Sequence, residues 1–206
     1  MSKKMMQLFI KVSFITVLLA VSGCNQKSYE KQQYLLDAHR TSAAADTKNT
    51  NIIEVRRFII DPAFSSKQFT YRLSEYEYKS DFYNEFFTPP AIMITEKTRN
   101  WLSESGLFQR VSESAGFMTP SHIIEGNIIA LYGDFRDISS PKAIMEIRVC
   151  LLETKSGTKS NIIFSKTYKS SAAFEPGDSD YLIAAFDRCL SEILTNIEKD
   201  LKNKLF

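Results

Sequence analysis

From Leu182 to Leu205 the residues Leu182, Phe186, Cys189, Leu190, Ile193, Ile197, Leu201 and Leu205 recur every three or four positions, which places them along one side of an α-helix. Over residues 179–204 such a helix is about 39 Å long at 1.5 Å per residue. A stripe of that length needs an apolar surface of similar length to cover it. A membrane surface offers one and a sheet the other. The chain ahead of the stripe holds many strand patterns that themselves need a cover, so the stripe is assigned to the core.

Those patterns fix the order of elements. Tyr34-Leu35-Leu36 reads as a short strand, followed by an Ala/Ser/Thr/Asn-rich loop over 38–50. Asn51 to Ile60 is rich in β-branched residues and stops at Asp61-Pro62, as a strand would. From Phe69 to Tyr78, Phe69, Tyr71 and Leu73 alternate with Thr70, Arg72 and Ser74, which predicts a strand with one aromatic and one polar face. Thr88-Pro89-Pro90 fits an N-cap and first helical turn. Ile94, Thr98, Trp101, Leu102 and Ser105 follow at helical spacing and Gly106 ends the run, so a helix is predicted over 90–105. Leu107 to Val111 predicts a short strand, and within His122 to Tyr132 a strand would put Ile124, Gly126, Ile128 and Ala130 on one face. Pro141 to Thr154 and Asn161 to Ala172, joined by polar residues 155–159, read as consecutive antiparallel strands. The expected class is α+β: a two-layer domain, a mainly antiparallel or mixed sheet with two helices packed on it, the C-terminal one long.

With 206 residues, 44% hydrophobic and 24% charged, the chain suits one globular domain and excludes collagen-like, disordered and polytopic membrane classes. Its N-terminus is different in kind. Lys3 and Lys4 precede an apolar run from Leu8 to Val21, whose uncharged core, Val12 to Val21, is too short to span a bilayer, which takes about 20 residues. Val21-Ser22-Gly23-Cys24 then resembles the bacterial lipobox, in which small residues admit the backbone to the signal peptidase and the cysteine thiol carries diacylglycerol. Residues 1–23 are therefore expected to be a lipoprotein signal peptide, 24–33 a flexible tether, and 34–206 the folded domain. The expected modification at Cys24 is a covalent diacylglycerol with an N-acyl chain such as palmitate, and no other cofactor is expected. Loss of residues 1–23 removes Lys3, Lys4 and Lys11 and no acid, so the formal net charge goes from +2 to −1. A nucleic-acid partner then loses its electrostatic basis. Asn25 instead of Asp at the second position implies release to the outer membrane, facing the periplasm.

Candidates for chemistry are few. GxSxG, HExxH, CxxC pairs and GxGxxG are all missing from the sequence, and neither His39 nor His122 has a second ligand at metal spacing. Gly157-Thr158-Lys159-Ser160 lacks the adjacent Gly-Lys of a phosphate loop. Asp134 with Asp137, and Glu75, Glu77 and Asp81, read as solvated acidic loops. No catalytic or metal residue is assigned, and the expectation is a non-enzyme. Cys150 and Cys189 can pair in an oxidising compartment, but Cys150 shares a strand face with Glu146 and Arg148 while Cys189 lies on the apolar stripe. Two unpaired thiols are expected.

Of the fifteen Phe, nine Tyr and one Trp, many lie between Phe58 and Phe87, an enrichment read first as core filling and second as a lipid-handling or protein-docking surface. Tyr71, Tyr76, Tyr78, Phe82, Tyr83, Phe86 and Phe87 cannot all face one core layer, so some are expected at an edge or interface.

The order of these elements is similar to that of the ABC-type transport auxiliary lipoprotein family, which includes the lipoprotein of the paraquat-inducible system. The resemblance runs through the lipobox, Tyr34-Leu35-Leu36, Phe58-Ile59-Ile60-Asp61-Pro62, Tyr71-Arg72, Tyr76-Glu77-Tyr78 and 82–90 (FYNEFFTPP). It continues in Leu102, Ser105-Gly106-Leu107-Phe108, Val111, Ile124-Glu125-Gly126 and the terminal helix. Phe87 departs from it, standing where the family would favour a tryptophan. The resemblance implies an accessory component of an MCE-protein lipid transport system, fixing the MCE component at the membrane, with a homo-oligomer plausible by symmetry. Tyr71, Tyr76, Tyr78, Phe82, Tyr83 and Phe86 are the expected partner-binding residues. An outer-membrane biogenesis lipoprotein, serving lipopolysaccharide or barrel assembly, is the alternative.

Overall fold

The computed structural model describes residues 30–45, 50–113, 119–154 and 160–206. The signal segment, Cys24 and the 155–159 loop lie outside them. In chain order the strands and helices are β1 (Gln32–Tyr34), β2 (Ile52–Val55), β3 (Ile59–Ile60), β4 (Gln68–Arg72), β5 (Tyr78–Phe86), α1 (Pro90–Glu104), β6 (Arg110–Ser112), β7 (His122–Asp134), β8 (Lys142–Glu153), β9 (Asn161–Ala173) and α2 (Ser179–Leu205). The class is the expected one, a mixed sheet with two helices of which the C-terminal is long.

β7 is shared by most of the sheet. One of its edges pairs antiparallel with β8 along the whole length from His122 to Asp134, and β9 continues the meander beyond β8. The other edge takes three short strands in series, all parallel: β2 at His122–Ile124, β3 at Asn127–Ile128 and β4 at Gly133–Asp134. β6 extends the sheet beyond β2, while β5 and then β1 extend it beyond β4. Parallel pairing by short segments is possible because α1 and its connections return the chain between β5 and β6.

The helices cover one face. On β8, Ala143, Met145, Ile147, Val149 and Leu151 alternate inward and are completely buried, and α2 lays Leu182, Phe186, Cys189, Leu190, Ile193, Ile197 and Leu201 against the sheet. The stripe is therefore core packing. Asp178 caps α2 by accepting from the Asp180 amide, and Lys202 and Lys204 sit in its last turn, where the helix dipole favours cations. α1 joins the layer through Ile94, Trp101 and Leu102. Trp101 Nε1 donates to Glu198 Oε2 at 2.8 Å, and Arg40 grips the same carboxylate through Nε and Nη2, both at 2.9 Å, so Glu198 ties the loop after β1 to both helices.

Several sequence expectations shift. The strand expected over 51–60 is bulged: Val55 pairs with Ile124 and Ile59 with Asn127, so residues 56–58 hold one more residue than the facing stretch of β7. The bulge turns Phe58 inward over Gly126, with its amide donating to Thr95 Oγ1 of α1 at 2.9 Å. The strand expected over 69–78 is a hairpin, β4 and β5, closed where the Leu73 amide donates to the Glu77 carbonyl. β1 begins at Gln32, so ordered structure reaches into the segment expected to be tether, and the compact unit starts at Lys31. Pro89, not Thr88, occupies the cap of α1 and supplies no side-chain bond. The short strand expected over 107–111 is displaced to Arg110–Ser112. A register shift between Ile128 and Ala130 passes the buried position to Leu131. Cys150 and Cys189 are free, the second fully buried.

At Gly126 a Cβ would lie 2.4 Å from the Phe58 ring, which is itself only 2% exposed and has nowhere to go. Gly126→Ala should lower unfolding free energy in urea by about 1–3 kcal/mol. Combined with Phe58→Leu, which opens space, the loss should be smaller than the sum of the two single losses.

Candidate functional site

The hairpin of β4 and β5 concentrates the exposed aromatic surface. Tyr76 is 89% exposed, Phe82 63%, and Tyr78 and Tyr83 45% each, with Phe87 and Leu35 at 58% close by in the pairing of β5 with β1. Two different devices hold these side chains out in water, at the tip and in the middle of β5.

Mid-strand, Thr70 pairs with Ser80 but Gln68 pairs with Glu85, so β5 spends five residue steps where β4 spends two. The surplus is ejected as a large bulge carrying Phe82 and Tyr83. Asp81 closes it. Its Oδ1 accepts from the amides of Tyr83 at 2.7 Å and Asn84 at 3.0 Å, and its Oδ2 accepts from Tyr71 Oη at 2.7 Å and Asn84 Nδ2 at 2.8 Å. Burial disfavours the charged carboxylate, but the bonds from Asn84, Tyr71 and the two amides outweigh it and hold Asp81 below the usual carboxylate range. Tyr71 is shifted the opposite way, pushed well above an ordinary tyrosine by burial and by its bond to the anion. Phe82 and Tyr83 stack edge to face at 5.2 Å, and Lys31 Nζ lies 5.4 Å from the Phe82 ring centroid. Lys31 and Lys67 both pair with Glu85, which also accepts from Gln33 Nε2 at 2.8 Å.

At the tip end, Tyr78 packs edge on against Tyr132 and Phe64, and the Arg72 guanidinium lies 5.4 Å from the Tyr78 centroid. Phe64 from the short Pro62–Phe64 turn stacks on Tyr132, covering the face of the sheet away from the helices. Tyr76 projects beyond this group. Between tip and bulge lies a cleft of about 470 Å³, bordered by Tyr71, Leu73, Lys79, Asp81, Phe82 and Phe135.

The expected partner-binding residues separate. Tyr76, Tyr78, Phe82 and Tyr83 share one exposed hairpin. Phe86 does not belong with them: it is 2% exposed, its ring meeting Phe69 at 4.8 Å and Phe186 at 6.2 Å, because the pairing of Tyr34 with Phe86 turns both toward the helices. Tyr71 is mostly buried against Phe135 and Asp81. Sequence reasoning placed Phe87 among the aromatics for an edge or interface, as its 58% exposure bears out, but missed Leu35 as a site residue and Asp81 as the clasp. The Asp81-x-x-Asn84 spacing was the available signal, since an aspartate readily bonds backbone amides two and three positions ahead.

One pair has the outline of a nucleophile and base. Ser121 Oγ is 3.0 Å from His122 Nδ1, and Glu153 stands opposite His122 across the β7–β8 pairing. The hydroxyl is already engaged: it donates to the Ile52 carbonyl at 2.9 Å and accepts from the Ile52 amide at 3.2 Å. It fastens the start of β7 to β2. Burial lowers the His122 pKa, favouring a neutral ring. Asp134 is occupied by Arg136, and Asp137 by Ser139. Among the described residues there is no group of three or more His, Cys, Asp or Glu able to hold a metal ion, and no helix is long and apolar enough to cross a membrane.

No protein-family model and no curated protein matches the chain. Solved structures share its fold. The Xanthomonas campestris protein XCC0632, described as belonging to the family DUF330, superposes with a TM-score of 0.70 at 17% identity, covering 81% of this chain and 92% of its own. An uncharacterized protein gives 0.66 at 10% identity, over 84% and 99% of the two chains. The hypothetical protein CT253 of Chlamydia trachomatis gives 0.52 at 12% identity, over 73% and 96%.

The clasp makes a test of the bulge possible. Asp81→Ala removes the acceptor of four bonds and should cost on the order of 3 kcal/mol at neutral pH. Because the folded-state pKa is depressed, the carboxylate's contribution is present above the ordinary carboxylate range and lost as pH falls through the folded value. The stability gap between wild type and Asp81→Ala in urea titrations should therefore be widest near pH 7 and shrink below about pH 4.

Proposed function

We propose that this chain is a lipid-anchored, non-catalytic accessory protein of an ABC/MCE-type lipid transport system, docking the MCE component at the outer membrane. The observation that carries the reading is the hairpin: large aromatic side chains held in water by a rigid, hydrogen-bonded frame. A monomer gains nothing from exposing Tyr76 at 89%, whereas interfaces concentrate Tyr and Phe at their centres. A frame fixed beforehand also reduces the ordering cost of association. The sequence resemblance supplies the partner class, and the lipobox-like segment ending at Cys24 supplies the anchor. The likeness to the DUF330 structure supports the fold that this resemblance implies. The Ser121 hydroxyl, engaged with Ile52, is not poised as a nucleophile beside His122.

The test is recovery of partners from native membranes in mild detergent. Full-length tagged protein should bring down an MCE protein, and Cys24→Ala should lose the membrane fraction. Tyr76→Ser with Tyr78→Ser should reduce recovery about 10-fold or more, the effect of losing a 1.4–2 kcal/mol anchor, while the urea midpoint checks that the fold persists. Undiminished recovery would remove the hairpin tip from the docking site. Recovery of an outer-membrane β-barrel in place of an MCE protein would transfer the chain to the assembly role.

A further inference from the structure

We propose that the face formed by Leu35, Phe82 and Phe87, with Tyr83 at its border, lies against the bilayer interface that holds the anchor, separately from the hairpin tip. The inference rests on the reading of Cys24 as the lipidated residue and adds to it an orientation of the domain.

β1 pairs parallel with β5, Gln32 opposite Asn84, so the residues before it run toward Phe82, and Lys31 meets the Phe82 ring at 5.4 Å. Cys24 lies seven residues before Lys31. Fully extended, that segment reaches at most about 25 Å. Whatever surrounds Lys31 is therefore kept near the lipid surface.

Large apolar side chains surround it. Lys31, Gln33 and Leu35 alternate onto one face of β1, opposite the face that sends Tyr34 into the core. Across the pairing, Glu85 and Phe87 share that face, as the bonds from Lys31 and Gln33 to Glu85 show. Leu35 and Phe87 at 58% and Phe82 at 63% exposure stand beside each other's strands. Leu35 and Phe87 stand at one end of the Lys31–Glu85–Gln33 cluster and Phe82, with the Tyr83 phenol beside it, at the other, so exposed apolar side chains rim a charged centre whose ions are paired. Aromatic rings settle at the headgroup level of bilayers, where an apolar body and a polar tip are both accommodated. Lys31 and Lys67 share Glu85 as their partner, which leaves too little unbalanced charge for attraction to anionic lipid to be the main driving force. Burial of apolar surface is. Tethering also converts this weak contact into an intramolecular one, so modest intrinsic affinity suffices to orient the domain.

The experiment uses lipidated full-length protein in vesicles of phosphatidylethanolamine and phosphatidylglycerol, with and without acyl-chain bromination. Phe82→Trp and, separately, Phe87→Trp each add an indole to the buried Trp101, and Ile162→Trp adds one at an exposed position on β9, at the other side of the sheet. The expected result is loss of about half of the emission added at positions 82 and 87, as for an indole at the interface, with little change at position 162. Protein that floats with the vesicles but shows no quenching at 82 and 87, or equal quenching at all three positions, overturns the orientation and leaves the anchor standing. Protein that fails to float overturns the anchor reading, and the orientation with it.

Discussion

The hydrogen-bonding capacity of β7 is the constraint on which the rest of the sheet depends. A buried 13-residue strand has two rows of amides and carbonyls to satisfy, and here the rows are satisfied in different ways. β8 covers one continuously. The other is shared among three short strands, each of which must leave and rejoin the sheet without stranding its own backbone. The bulge at 56–58, the turn at Pro62–Phe64 and the hairpin of β4 and β5 are the means of doing so. Phe58 shows how tightly the arrangement is closed: it reaches inward only because position 126 of β7 has no side chain. The strand that organises the sheet therefore also sets where the aromatic hairpin emerges, at its C-terminal end, where Tyr71 and Arg72 pair with Gly133 and Asp134.

The hairpin then solves a problem that exposed edges create. β5 pairs with β1 only over Asn84–Phe86, and a flat apolar strand beyond that point would invite pairing with other chains. The bulge at Asp81–Asn84 breaks its regularity, directing two amides to the Asp81 carboxylate. Display of Phe82 and Tyr83 and protection of the edge thus come from one local distortion. It exposes side chains for contact while denying the backbone to strand addition.

The sequence made the layers legible and the irregularities illegible, for a physical reason. Periodicity reports which side of a regular element is buried, so the α2 stripe and the inward row of β8 could be read directly. A bulge interrupts the period without changing composition, so Asn51–Ile60 looked like one strand and Phe69–Tyr78 like another, when the latter spans a turn. The same limit governed the candidate site. Phe86 and Phe87 are adjacent aromatics, one in the core and one in water, and only the pairing of Tyr34 with Phe86 distinguishes them. Partner pairings are long-range facts that local pattern does not encode. The expected mainly antiparallel or mixed sheet admitted parallel pairs without saying which strands make them, because those pairings join segments far apart in sequence.

Glu198 relates the site to the mass of the domain. Arg40 is nearly buried, with its guanidinium bonded in two places to Glu198 and its charge further stabilised by that carboxylate. Trp101 shares the same acceptor. A buried charge pair of this kind adds little net stability compared with an apolar substitute, but its geometry is demanding. Here the geometry pins the segment after β1 onto α1 and α2, so β1 is held from both directions: by β5 on its own strand and by the helices through the segment that follows it. Force or orientation arriving through the residues before Lys31 is consequently passed to the whole layer of helices rather than absorbed by a loose N-terminal strand. Under the proposed anchoring this stiffness would let the domain present one surface reproducibly, which a three-residue strand alone would not do.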